Sequence, residues 1–304
     1  MTAPRSVLAL VGVTASGKSA LALELARRHD DVELVSIDSM QIYRRMDIGT
    51  AKPTAAERAE VRHHLLDLVD PHEEFTVSEF QAAAQAAITD IEERGRTPVL
   101  VGGTGLHLRA VVDAFEIPPQ YPEVRAALDA EPDTGALHRH LADLDPVAAG
   151  RMEPTNRRRV VRALEVTLGS GRPFSSYGPG LEAYGPTRFR LVGIRRPRPV
   201  IDERIVARYR EQMHVGFLAE VRRLAADPRG VSRTAAQALG YRQLFEHVAG
   251  DCDLVTALDD AVTATKRFAR RQERWFRRDP RITWVDVAEN PMETLDEVVR
   301  QWRS

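Results

Sequence analysis

Cysteine is nearly absent from this chain: Cys252 is the single one in 304 residues. That excludes an internal disulfide framework and any zinc site built on a cysteine cluster, and it suits a reducing cytosol. Long apolar runs are missing as well. No stretch approaches 18 consecutive apolar residues, and no basic segment followed by a long apolar one opens the chain. A membrane-spanning or secreted protein is therefore not expected. Neither sign of charge dominates: the net charge is −1, which argues neither for nor against a polyanionic partner. Internal repeats and low-complexity tracts are lacking. With 43% hydrophobic and 29% charged residues, the chain can still bury a full core and carry an inserted subdomain.

What is present begins near the start. Gly12-Val13-Thr14-Ala15-Ser16-Gly17-Lys18-Ser19 fits G-x-x-x-x-G-K-[ST]. The apolar run Val7–Val11 suits a buried strand before it, and Leu21, Leu23, Leu25 and Ala26 suit a helix after it. A P-loop needs this strand–loop–helix order. Its glycines permit the tight turn, backbone N–H groups converge on phosphate oxygens, and the helix N-terminus favours the anion. Lys18 would add a point charge, and the Ser19 hydroxyl a ligand for Mg²⁺. The plainer alternative is a glycine-rich turn capping a helix. Taken alone the loop reads as a nucleoside triphosphate site, for ATP for instance, and does not say what is done to the phosphate compound.

The run Val32–Asp38 reads as a second strand that ends in a carboxylate. Ligands of open α/β sheets bind at the carboxyl ends of strands, which places Asp38 at the same crevice as the loop. There it can hold a metal or accept a proton from a nucleophile, unless it only begins a turn. A helix over Glu79–Glu93 and a strand over Thr97–Val101 follow, and Gly102-Gly103-Thr104-Gly105 leaves that strand facing the crevice. The pair His63-His64 has no third ligand nearby and is assigned no site.

From Phe115 the composition changes. A proline-rich exit is followed by short helices broken by proline and glycine, and strand character resumes at Phe189–Ile194. This is the pattern of a helical insertion over about 121–187, between a first core part, 1–120, and a second, 188–304. The expected fold is α/β, a P-loop-type parallel sheet flanked by helices with a helical insertion domain. In the insertion Arg157, Arg158, Arg159 and Arg162 crowd the first turns of a helix, against its dipole unless an anion lies opposite. Later, Arg204 and Arg208 lie one helical turn apart. Lys266–Arg278 holds seven basic residues against one acidic. On a helical wheel Phe268, Gln272 and Trp275, with Ala261 and Thr265, form a core face, and Arg267, Arg271, Arg274 and Arg278 a cationic ridge fit for nucleic acid. A last strand over Ile282–Val287 and a closing helix over Pro291–Trp302 complete the chain.

Three activities compete on the residues: a small-molecule kinase, a nucleotide switch or RNA-dependent ATPase, and a transferase acting on RNA. No N-K-x-D for guanine is present, and the third strand ends in glycines instead of a metal-holding acid.

Asp38-Ser39-Met40-Gln41 through Lys52-Pro53 resembles the signature of the tRNA dimethylallyltransferase (tRNA isopentenyltransferase) family, and so do the P-loop, His63–Asp67, Gly102–Leu106 and Leu239–Gln243. The chain departs from the family pattern at Val13, where proline is usual, and at His107, where tyrosine is usual. The resemblance implies transfer of a dimethylallyl group from dimethylallyl diphosphate to N6 of the adenosine beside the anticodon, position 37 of tRNA. It implies Asp38 as the base, Thr104 touching the nucleoside, Arg208 reaching the diphosphate held by residues 12–19, and Mg²⁺ with Ser19 as a ligand. It implies tRNA contacts from Asp38, Ser39, Met40, Gln41, Thr104, Arg125, Arg157, Arg158, Arg159 and Arg242. Arg271 and Arg274 join them from the ridge. A cytoplasmic monomer binding the anticodon stem-loop is expected. Within the resemblance, an isopentenyltransferase using free adenine nucleotides is the nearest alternative.

Overall fold

The computed structural model describes residues 6–287 and 289–303. Six strands form one parallel sheet: β1 Val7–Gly12, β2 Val32–Ile37, β3 His63–His64, β4 Thr97–Gly102, β5 Phe189–Arg195 and β6 Thr283–Asp286, in the order β3-β2-β4-β1-β5-β6. The expected strands are all present. The sixth, β3, is a two-residue edge strand whose pairing with Leu34 and Val35 no local pattern announced.

The crossovers carry the helices. In the first part of the chain these are α1 Lys18–Arg28, α2 Ala55–Glu60, α3 Val77–Glu93 and α4 Gly105–Val112. Then come α5 Pro122–Asp129, α6 Thr134–Leu144, α7 Pro146–Gly150 and α8 Arg157–Ser170. After β5 follow α9 Arg198–His214, α10 Phe217–Ala225, α11 Arg233–Ala236, α12 Tyr241–Ala249, α13 Leu254–Phe276 and α14 Leu295–Arg303.

Central strand β1 is buried along its whole length, and its period-2 alternation feeds two cores. Val7, Ala9 and Val11 join Phe80, Ala84 and Ile88 of α3 and Ala261 and Ala269 of α13. Leu8 and Leu10 join Leu21 and Leu25 of α1 and Val298 and Trp302 of α14. The strands end in register. Val11 lies beside Gly102 on one side and Gly193 on the other, and Ile37 lies beside Gly102. The turns after β1, β2 and β4 therefore open at one edge of the sheet.

Residues Ala114–Gly185 form a separate compact unit, and the other described residues form a second. Its core is Leu128, Leu137, Leu141, Val160, Val161 and Leu164. The proline-rich stretch expected to close the sheet unit belongs here instead. The carboxylate of Glu165 accepts from Tyr121 N–H at 2.9 Å, Arg162 donates to Pro118 C=O at 2.7 Å, and Arg172 pairs with Glu116.

Candidate functional site

The phosphate loop takes its shape from two kinds of support. Inside it, Ser16 N–H donates to Val13 C=O and Lys18 Nζ to the same carbonyl at 3.2 Å. Ala15 (φ 63°) and Gly17 (φ 96°) adopt left-handed backbone, a conformation that costs glycine little. From outside, Arg204 Nε holds the Ala15 carbonyl at 2.8 Å, Arg196 Nε holds that of Ser16 at 3.0 Å, and Gln272 Oε1 takes the Thr14 N–H at 2.9 Å. The N–H groups of Thr14 and Ser16 are thus engaged by the protein. What stays open is the start of α1. Gly17 supplies no side-chain cap, and the first-turn N–H groups have no intrahelical acceptor, which leaves an anion-binding helix end. The buried Ser16 hydroxyl has no hydrogen-bond partner among the described residues.

Arg208 closes the loop from α9. One Nη donates to the Thr14 hydroxyl at 3.1 Å and the other to Gly49 C=O at 3.4 Å. Burial lowers the pKa of this guanidinium. Burial also lowers that of the Lys18 ammonium, to about 8, with the Asp38 carboxylate pulling upward and Arg208 pushing further down. Asp38 and Arg208 are thus both close enough to Lys18 to act on its charge.

Asp38 follows β2, and its Oδ1 accepts from Met40 N–H at 2.8 Å. The Thr104 hydroxyl, at the start of α4, accepts from Ser39 N–H at 3.4 Å. These contacts bring Asp38, Ser39, Met40 and Thr104 together. The Gln41 side chain is bonded within the protein. Its Oε1 accepts from the Ser36 hydroxyl at 2.7 Å, and its Nε2 donates to the carbonyls of Thr50 and Ala51 at 3.1 and 3.2 Å. Its amide folds the loop that follows.

That loop is pinned from below by Glu220 and Gln212, which the sequence reading left out, and by Tyr241 of the Leu239–Gln243 motif. The buried carboxylate of Glu220 accepts from the N–H groups of Asp47, Ile48 and Gly49, and Tyr241 donates its hydroxyl to the same group. Gln212 donates to Ile48 C=O at 2.6 Å. The available signal was a polar side chain on an apolar helix face: Glu220 stands among Phe217, Val221 and Leu224, all buried. His107, also unassigned, packs edge-on against Phe80 with ring centroids 4.7 Å apart. Burial pushes its pKa down to about 4, against the pull of Asp38.

The arginine surfaces are only partly as expected. On α13 the inward stripe is Ala257, Ala261, Thr265, Ala269, Gln272 and Phe276. Phe268, which the helical repeat sets on the same side, is half-buried, and the Arg271 guanidinium lies 5.7 Å from its ring centroid. Trp275 flanks the core and covers Gly105. Arg267, Arg271 and Arg274 are exposed, and so is Arg242 on α12, 3.8 Å from Glu246. In the Ala114–Gly185 unit Arg158 and Arg159 are exposed. Arg157 is not free for a ligand in the same way, since its guanidinium caps the carbonyls of Leu128 and Asp129 at 3.3 and 3.1 Å. Arg125 pairs with Asp129 at 2.8 Å.

A parallel sheet with a phosphate loop, two loop-bound cations and a carboxylate at one strand edge defines a P-loop-type α/β protein. The IPP transferase family model matches residues 41–279. A tRNA dimethylallyltransferase of Nocardioides sp. is 48% identical over 282 residues, which is 92% of this chain and 90% of that protein. One of Acidothermus cellulolyticus is 49% identical over 296 residues, 95% of this chain and 91% of that one. The crystal structure of the full-length tRNA isopentenylpyrophosphate transferase of Bacillus halodurans superposes with a TM-score of 0.72 at 35% identity. It covers 98% of this chain and 97% of its own. The chain belongs to the IPP transferase family.

Proposed function

We propose that this chain transfers the dimethylallyl group of dimethylallyl diphosphate to N6 of the adenosine 3′ of the anticodon, position 37 of tRNA, and releases diphosphate. The observation that carries the reading is a pair of cations bonded to the phosphate loop, Lys18 on Val13 C=O and Arg208 on the Thr14 hydroxyl, at the sheet edge where β2 runs into Asp38.

The two phosphates lie on the open N-terminus of α1, with Lys18 and Arg208 offsetting their charge. As the allylic C–O bond loosens, its electron pair moves onto the diphosphate, and these cations stabilise the growing charge most at that moment. The N6–carbon bond forms while Asp38 accepts the N6 proton. That proton acceptor matters because the amine's lone pair is delocalised into the ring. The exposed Ser19 hydroxyl on the first turn of α1 and the diphosphate oxygens are hard donors that suit Mg²⁺, which when bound would offset further charge on the leaving group. The adenine must leave the anticodon loop stack to reach Asp38, at modest cost in a single-stranded loop, with Thr104 beside it. Arg158, Arg159, Arg242, Arg271 and Arg274 supply exposed positive charge for the phosphate backbone. A cytoplasmic monomer fits the lone cysteine and this substrate.

The test is one labelling experiment. The protein is incubated with dimethylallyl diphosphate labelled in the prenyl group and tRNA, AMP or ATP alone. Label in tRNA only is expected. Label in AMP or ATP replaces this reading with the free-nucleotide isopentenyltransferase, and no prenyl transfer at all returns the loop to a kinase or ATPase role.

A further inference from the structure

Helix α13 presents one side chain to both halves of the crevice. Gln272 is 6% exposed. Its Oε1 accepts from Thr14 N–H at 2.9 Å, and its Nε2 donates to Gly103 C=O at 2.8 Å. Thr14 belongs to the phosphate loop after β1, and Gly103 to the turn after β4. The next residue, Thr104, accepts from Ser39 N–H, and Ser39 follows Asp38. A single planar amide therefore connects the loop that takes the diphosphate to the turn that steadies the carboxylate.

The arrangement has one orientation. An amide flip would set oxygen against the Gly103 carbonyl and N–H against N–H at Thr14. Gly103 has no room for a side chain either, since a Cβ there would collide with Gln272 Nε2 and lie 3.0 Å from the Gly12 carbonyl oxygen. The backbone of both loops closes on this amide.

We propose that Gln272 is a positioning residue for the transfer, setting the separation between the leaving diphosphate and Asp38. This rests on the function proposed above. Each substrate keeps its own binding groups without Gln272: Lys18 and Arg208 for the donor, and the exposed arginines for the tRNA. Gln272 touches neither set. Its contribution is the relative placement of the two reacting partners, and a misplacement of about 1 Å in such an alignment costs roughly a hundredfold in rate. Loss of the amide should therefore appear in turnover while both affinities stay near normal.

Gln272→Met preserves size and helix preference and removes both hydrogen bonds. With labelled dimethylallyl diphosphate and tRNA, kcat should fall by roughly 30- to 100-fold. KM for each substrate should stay within about threefold, after correction for the folded fraction measured by thermal unfolding. Should Gln272→Met fail to fold, Gln272→Leu is read by the same criteria, and failure of both to fold overturns the inference in favour of a purely structural role. A folded variant with near-normal kcat overturns it as well, and so does a loss carried by KM alone. An active wild type with near-normal variants refutes this inference only. A wild type that moves no label to tRNA refutes the proposed function, and this inference with it.

Discussion

Tyr241 donates its hydroxyl proton to Glu220 beneath the backbone of residues 47–49, and the same carboxylate takes N–H bonds from Asp47 and Ile48 at 3.0 Å each. Burial and the neighbouring Glu220 push the Tyr241 pKa upward, so the hydroxyl stays a donor at any working pH. A loop carrying Gly49, itself bonded to Arg208, is thus built on one buried acid.

Glu220→Ala should be costly. It leaves several N–H groups and a hydroxyl without an acceptor in a site where Glu220 is 3% exposed. The expected loss is about 3–5 kcal/mol, against about 1–2 kcal/mol for Tyr241→Phe, which removes a single donor. Denaturant unfolding of both variants measures the difference. Equal, small losses would show that the carboxylate is not what holds the loop.

Asp38→Asn should lower turnover by roughly 10²–10⁴-fold with little change in tRNA affinity. Single-turnover transfer and filter binding separate the two. A large loss of affinity with near-normal turnover would remove Asp38 from the role of base.

The donor's affinity should depend on pH through Lys18. The free protein loses the ammonium proton near pH 8, since burial lowers its pKa, and the diphosphate binds the protonated form. KM for dimethylallyl diphosphate should be flat below pH 8 and rise toward tenfold per unit above it. Lys18→Arg, which stays charged, should abolish that rise.

His107 makes stability sensitive to acid. Its pKa is 6.5 when unfolded and about 4 in the fold, so between these values the unfolded chain binds the extra proton. Stability is fully present above pH 6.5 and is lost as pH falls toward 4, by up to about 3 kcal/mol. His107→Phe should flatten this limb in urea titrations at stepped pH. The residue His63, whose pKa burial also lowers, leaves a smaller slope behind. An identical acid limb in the variant would contradict the assignment.

Replacing Arg267, Arg271 and Arg274 by alanine should weaken tRNA binding and reduce the slope of log K against log salt by about two units. The plot for wild type and triple variant decides it. Parallel lines would return the ridge to an ordinary solvated face.

The sequence by itself determined the features that neighbours along the chain can specify. Gly12–Ser19 between an apolar strand and a leucine-rich helix dictates a phosphate loop, because glycine φ freedom and an uncapped helix start are local properties. The ends of β2 and β4 placed Asp38 and Thr104 at the same edge, since parallel strands joined by crossovers must all end on one side. The exposed arginines were legible only in part. Composition located Arg157, but only the fold shows it spent on the carbonyls of Leu128 and Asp129.

Tertiary structure alone decided how the site is held. Thr14 and Gln272 are 258 residues apart in sequence, and Asp47 and Glu220 are 173 apart. A polar side chain on an apolar helix face signals that a buried partner exists, because an unpaired one would be too costly. Which backbone group satisfies it depends on how distant elements pack. That packing makes Gln272 a bridge between the two loops and Glu220 the floor of a third.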